Sequence, residues 1–121
     1  MTHDTSFKIL FRQRMYTFVV RLIKYLNILP KDSVTDIMRK QVIRSGSSVL
    51  ANYVEGGAAS SRKDFINFFH YSLKSANETK LWLELLRDTT SVKNKEIDWL
   101  IDEIDQISRI FGSSLLKLKS K

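Results

Sequence analysis

Chain breakers are scarce in this sequence. One proline and four glycines in 121 residues leave too few sharp turns for a sandwich or barrel, which needs one every ~10 residues. Long helices are what such a chain can build. Apolar residues recur at helical spacing over four segments, about 7–29, 33–56, 61–88 and 93–118. The breaks fall at Leu29-Pro30-Lys31-Asp32, Gly56-Gly57-Ala58-Ala59-Ser60 and Thr89-Thr90-Ser91-Val92. Connections this short make sequence neighbours antiparallel. The expected fold is all-α: an antiparallel up-and-down four-helix bundle over residues 1–121 as one domain. With 43% apolar residues a chain of this length buries about two-thirds of its unfolded surface.

The segment ends carry local reasons. Pro30 cannot continue a helix interior, so the first segment closes just before it. Ser33-Val34-Thr35-Asp36 reads as a capping box opening the second, Gly56-Gly57 suits a left-handed C-cap, and Ser61-Arg62-Lys63-Asp64 opens the third. In the fourth, Ile97, Leu100, Ile101, Ile104, Ile107, Phe111, Leu115 and Leu118 make one buried stripe. Asp98, Asp102 and Asp105 flank it, where the helix dipole alone favours acids near an N-terminus. The first segment instead resolves into two apolar stripes. Phe7, Phe11, Phe18, Leu22 and Leu29 form one face; Ile9, Tyr16, Val20 and Ile23 lie nearly opposite. A bundle core takes only one of them. The second is read as a homo-oligomer interface, with a fully enclosed central helix as the alternative.

Little catalytic chemistry is on offer. The absence of cysteine removes thiolate metal sites, disulfides and cysteine nucleophiles. No Glu has His three positions on, as carboxylate-bridged metal bundles require; His3 falls in the N-terminal tail and His70 lies off the apolar stripe of its segment. There is no Gly-x-Ser-x-Gly elbow and no phosphate loop. The expectation is a non-enzymatic protein with no metal and no cofactor. The N-terminus lacks signal-peptide grammar, and the longest uncharged run of the first helix, Met15 to Val20, is far short of the ~20 residues of a membrane span. A soluble, cytoplasmic protein with no membrane partner is expected.

Charge is the remaining lead. Twenty Lys+Arg against thirteen Asp+Glu give a formal +7. Lys8, Arg12, Arg14, Arg21 and Lys24 occupy residues 7–29 with no acid among them. Arg14, Arg21 and Lys24 share a sector with Gln13 and Thr17, and Lys31, Arg39 and Lys40 continue the positive run. These six residues are the candidate nucleic-acid-binding set, able to track phosphates without reading sequence because no recognition motif or exposed aromatic platform accompanies them. The alternative is a plain solvated face.

The most specific feature runs from Gln41 to Glu78: Gln41-Val-Ile-Arg44, Ser48-Val-Leu-Ala-Asn52-Tyr-Val-Glu55-Gly56, Ser61-Arg-Lys-Asp64-Phe65 and Ser75-Ala-Asn-Glu78-Thr79. This pattern resembles the signature of the four-helix-bundle proteins also called 23S rRNA intervening-sequence proteins. It departs at Leu50, where the family often has Pro, and in a first helix without the family's usual Trp. The resemblance implies a non-enzymatic bundle forming a ring-like homopentamer. Members are encoded within intervening sequences of large-subunit rRNA genes, and a related branch serves as a nucleic-acid-binding accessory protein to the reverse transcriptase of diversity-generating retroelements. The functional expectation is thus a basic oligomeric accessory factor that binds nucleic acid, RNA before DNA. A structural scaffold that docks a reverse transcriptase or another protein, without binding nucleic acid, is the alternative.

Ser48, Asn52 and Glu55 are spaced four and three apart on one helix face, with Glu78 expected from the facing helix. Polar groups inside a bundle are costly unless paired, so these four are expected to form an interhelical network that fixes register. A polar ligand pocket is the alternative.

Overall fold

The computed structural model describes residues 2–90 and 94–120, with side chains from residue 6 onward. Four helices carry the chain: α1 (Thr2–Asn27), α2 (Ser33–Gly57), α3 (Arg62–Thr89) and α4 (Lys95–Lys119). Among the described residues they are the only regular elements, so the all-α bundle is as expected. Each helix packs on its two neighbours around a square, α1 on α2 and α4, α3 on α2 and α4. Every pair is antiparallel. Phe11 near the start of α1 meets Tyr53 near the end of α2, and Arg39 near the start of α2 reaches back to the end of α1. Likewise Lys80 bonds Asp105 while Arg62 reaches Leu118, running α3 and α4 in opposite directions.

The boundaries differ in instructive ways. α1 is helical from Thr2, so the backbone of His3 is in a helix rather than a tail, and Asp4 joins a helix that is acid-free only from residue 7. At its other end Ile28 N–H donates to Tyr25 O (3.2 Å) and Leu29 N–H to Leu26 O (3.4 Å), which tightens the turn and buries Leu29 before Pro30. Asp32, not Ser33, caps α2. Its Oδ1 accepts from Thr35 N–H (2.9 Å) and its Oδ2 from Thr35 Oγ1–H (3.0 Å), so a carboxylate one residue upstream does what the serine was expected to do. Ser61 caps α3 by accepting from Asp64 N–H, and Asn94 caps α4 by accepting from Glu96 and Ile97 N–H. The expected start of the fourth helix at Lys93, and the break residues Ser91 and Val92, lie outside the described residues.

Gly56 and Gly57 do not make a left-handed cap, since no described residue has positive φ. Close approach is what Gly56 provides: a Cβ there would sit 3.0 Å from the Cβ of Phe68 on α3. The whole α2–α3 seam is built this way, from Ser45, Val49 and Gly56 against Ser72, Ala76 and Thr79. Its buried hydroxyls are satisfied across the seam. Thr79 Oγ1 donates to Ser45 Oγ (2.9 Å) and Ser72 Oγ to the Val49 carbonyl (3.0 Å).

The core runs the length of the bundle from Phe11, Met15, Phe18, Leu22 and Leu26 of α1 to Leu100, Ile104, Ile107 and Phe111 of α4. Phe7, expected in that stripe, is instead half exposed, at the end of the bundle where α2 finishes at Gly57. No helix of the described residues is long and apolar enough to cross a membrane.

Candidate nucleic-acid interface

The basic sector of α1 faces α4, and α4 answers it with acid. Arg14 Nε–H donates to Glu103 Oε2 (2.9 Å) and Nη2–H to Oε1 (2.7 Å), with Gln106 Oε1 at 2.9 Å. Arg21 repeats the fork one heptad on, donating from Nε (2.9 Å) and Nη2 (2.6 Å) to the two oxygens of Glu96, while its guanidinium lies 3.4 Å over the Trp99 ring. The two rungs form an antiparallel ladder. The hydrogen bonds to Glu103 and to Glu96 raise the pKa of Arg14 and Arg21 further, and Arg21 holds Glu96 below the usual carboxylate range. Arg14 and Arg21, expected to track phosphates, are thus engaged in interhelical ion pairs in the single chain. Arg39 is also occupied: it donates to the carbonyls of Leu26 and Pro30 (2.8 Å) and to Asp36, tying the α1–α2 turn together. Of the six candidates, Lys24, Lys31 and Lys40 stay exposed, with no side-chain partner among the described residues.

The expected network of Ser48, Asn52, Glu55 and Glu78 does not form. Ser48 Oγ–H donates back to Arg44 O (2.7 Å), Asn52 Nδ2–H to Ser48 O (2.9 Å), and Glu55 is exposed. The seam explains why. Small residues bring α2 and α3 so close that Ser45 and Thr79 fill the interior polar position, leaving Ser48 and Asn52 half-buried and bonded within α2, with Glu55 outward. Glu78 instead meets Arg44, whose Nη2–H also donates to Gln41 Oε1 (2.9 Å), and it accepts from Trp82 Nε1–H (3.0 Å). The Trp82 indole first, then the Arg44 guanidinium, hold the Glu78 carboxyl below its ordinary value.

The second apolar stripe of α1 is uncovered in the single chain. Tyr16 is 63% exposed, Ile9 54% and Ile23 40%, with Val20 half-buried. Ile28, Val34 and Ile37 are exposed as well, at the α1–α2 turn. Among the described residues no group of three or more His, Asp or Glu side chains is placed to hold a metal ion.

A family model described as 23S rRNA-intervening sequence protein matches residues 8–113. The chain belongs to that family. A crystal structure of a protein from Bacteroides thetaiotaomicron, described as of unknown function and from the S23 ribosomal protein family, is 33% identical with a TM-score of 0.79, covering 87% of this chain and 97% of that one. Comparison with curated proteins finds no match. In this 23S rRNA-intervening sequence protein the signature residues Gln41, Arg44 and Glu78 converge on one α2–α3 cluster. Glu96, Glu103, Trp82 and Trp99 were missed by sequence reasoning, although the seven-residue spacing of Glu96 and Glu103 matches that of Arg14 and Arg21.

Proposed function

We propose that this protein is a non-enzymatic, cytoplasmic accessory factor that binds nucleic acid, RNA before DNA, as a homo-oligomer, and as a homopentamer on its resemblance to the family. The observation behind this reading is the trio Lys24, Lys31 and Lys40, exposed and without acidic partners around the α1–α2 turn of a chain carrying a formal +7. Lysines on a turn contact phosphates without selecting bases. Three single-strand phosphate contacts give a log–log salt slope of about −2 per chain. Fluorescence anisotropy with unrelated single-stranded RNAs should show that slope, and K24E/K31E/K40E should abolish binding to all of them. Absence of binding at low salt, or an unchanged affinity in the triple variant, refutes the reading.

The scaffold alternative, docking a reverse transcriptase or another protein, gains weight from the pairing of Arg14 and Arg21, which takes two of the strongest cations out of play. Both readings need the oligomer, for which the uncovered Ile9/Tyr16/Val20/Ile23 stripe is the proposed interface. Val20→Glu should split the assembly while leaving helical circular dichroism intact. A wild type that sediments as a 14.1 kDa monomer refutes the interface.

A further inference from the structure

At the end of the bundle where α1 and α3 start and α2 and α4 finish, a groove of about 820 Å3 opens between α1 and the ends of its neighbours. This end is opposite the α1–α2 turn and shares no residue with the lysine trio. The volume lies within the range of about 300–1,000 Å3 that small-molecule sites occupy. Its walls are hydrocarbon and ring: Phe7, Ile9, Phe11, Val54, Phe65 and Leu118 among them. Three cations stand in its lining, Lys8, Arg12 and Lys117, and among the described residues no carboxylate does. None of the three makes a hydrogen bond or ion pair among the described residues, Arg12 acting only at longer range on the Tyr53 hydroxyl.

The lining also selects among anions. Phe11 and Tyr53 meet edge to face at 5.4 Å, Phe65 and Phe69 lie 4.6 Å apart, and Phe7 tilts onto Phe11 at 5.6 Å. Rings packed on one another do not offer the open faces on which nucleobases stack, and half-exposed Phe7 leaves a single ring for that purpose. Among the described residues Ser114 and the Tyr53 hydroxyl are the only uncharged side-chain polar groups lining the groove, too few to read a base edge. An apolar body with a single anionic head satisfies both parts, the chain lying along the walls and the head meeting the rim cations.

We infer that this groove is a binding site for an amphipathic acid, a long-chain aliphatic carboxylate, held by the Phe7/Phe11/Phe65/Leu118 walls with its head at Lys8, Arg12 and Lys117. The site shares no residue with the lysine trio, and its wall residue Ile9 also belongs to the stripe proposed as the subunit interface.

Dodecanoate, titrated calorimetrically into the full chain below its micellar range, tests it. One saturable site per chain is expected, with dodecyltrimethylammonium, the same tail with a cationic head, binding at least about tenfold more weakly, a difference of about 1.4 kcal/mol. K8E/K117E should erase or invert that preference; both positions are exposed, so the fold is spared. Gly57→Trp should weaken both ligands, because Gly57 lines the groove and a side chain there has room to occupy it, with nothing within 4 Å of its Cβ. The inference is overturned if dodecanoate shows no saturable binding, if the two heads bind equally, or if Gly57→Trp leaves binding unchanged. A single-stranded oligonucleotide displacing dodecanoate would make the groove a nucleic-acid site, and a changed oligomeric state in K8E/K117E would make it a subunit interface. Either result also overturns the inference.

Discussion

The Arg14–Glu103 pair decides how much of the positive charge on α1 is available to a ligand. Glu103 sits with its side chain 12% exposed and Arg14 with 37%, joined by a bidentate fork of 2.9 and 2.7 Å. Hydrogen bonds to charged groups contribute about 1.5–3 kcal/mol, and solvent screening of the more open guanidinium reduces that to a coupling of about 1–2 kcal/mol. Arg14→Met keeps the apolar stem but strands the carboxylate, at a cost of about 2 kcal/mol. A double-mutant cycle of Arg14→Met and Glu103→Gln by urea unfolding reads the coupling directly. With a slope near ~2 kcal/mol/M, Arg14→Met should lower the midpoint by roughly 1 M. A coupling below about 0.3 kcal/mol would place the pair among screened surface contacts and return Arg14 to the ligand-binding set. The same geometry shows why charge reversal is a poor probe here: Arg14→Glu or Arg21→Glu sets carboxylate against carboxylate on α4, so any lost binding would report on folding.

Two glycines should respond oppositely to alanine. A Cβ on Gly46 collides with Cδ2 of Leu22, which is fully buried, so overpacking of about 1–3 kcal/mol outweighs a helix-propensity gain of up to about 1 kcal/mol. A Cβ on Gly112 would meet nothing within 4 Å, so Gly112→Ala should stabilise by about 0.5–1 kcal/mol; thermal melts that rank the two variants equally would refute the packing account. Acid should destabilise the fold through four carboxyls held below their ordinary values: Asp32 by Thr35 N–H, Glu78 by Trp82, Glu96 by Arg21 and Asp105 by Lys80. Because the folded pKa lies below the unfolded one in each, their contribution is complete above the ordinary carboxylate pKa of about 4 and is lost as pH falls through the folded values; a urea midpoint that stays level well below pH ~4 would contradict this.

Helix number, order and direction were legible because they depend on local quantities. The 3.6-residue period of α4 and the scarcity of Gly and Pro act within a few turns of chain, and tertiary packing only reinforced them. Boundaries were less legible where two local solutions compete. Asp32 and Ser33 can both cap α2, and the carboxylate has the advantage because Thr35 offers it both a backbone N–H and a hydroxyl. Gly56 misled for a different reason. A glycine at a helix end fits a left-handed cap as well as a close contact, and the contact is with Phe68, twelve residues on and across a turn, where helical periodicity gives no information.

The candidate site was legible in its ingredients and not in its pairings. The cations of α1 were visible as an unopposed stripe, while on α4 only Asp98, Asp102 and Asp105 were read, as a response to the helix dipole, and Glu96 and Glu103 passed without a role. Whether they meet depends on which faces turn together when four helices close a square, and that choice is made by the apolar stripes. Once Phe11, Phe18 and Leu22 go inward beside Ile104, Ile107 and Phe111, Arg14 and Arg21 are carried to the same rim as Glu103 and Glu96. Lys24 and Lys40 find no acid at side-chain reach, and Lys31 lies on the turn itself. The core therefore sorts the charge. Cations flanking the α1–α4 seam are neutralised by the fold, and those at the turn and at the N-terminal end of α1 remain for partners, which is why the surviving binding proposals sit at the two ends of the bundle rather than along its side.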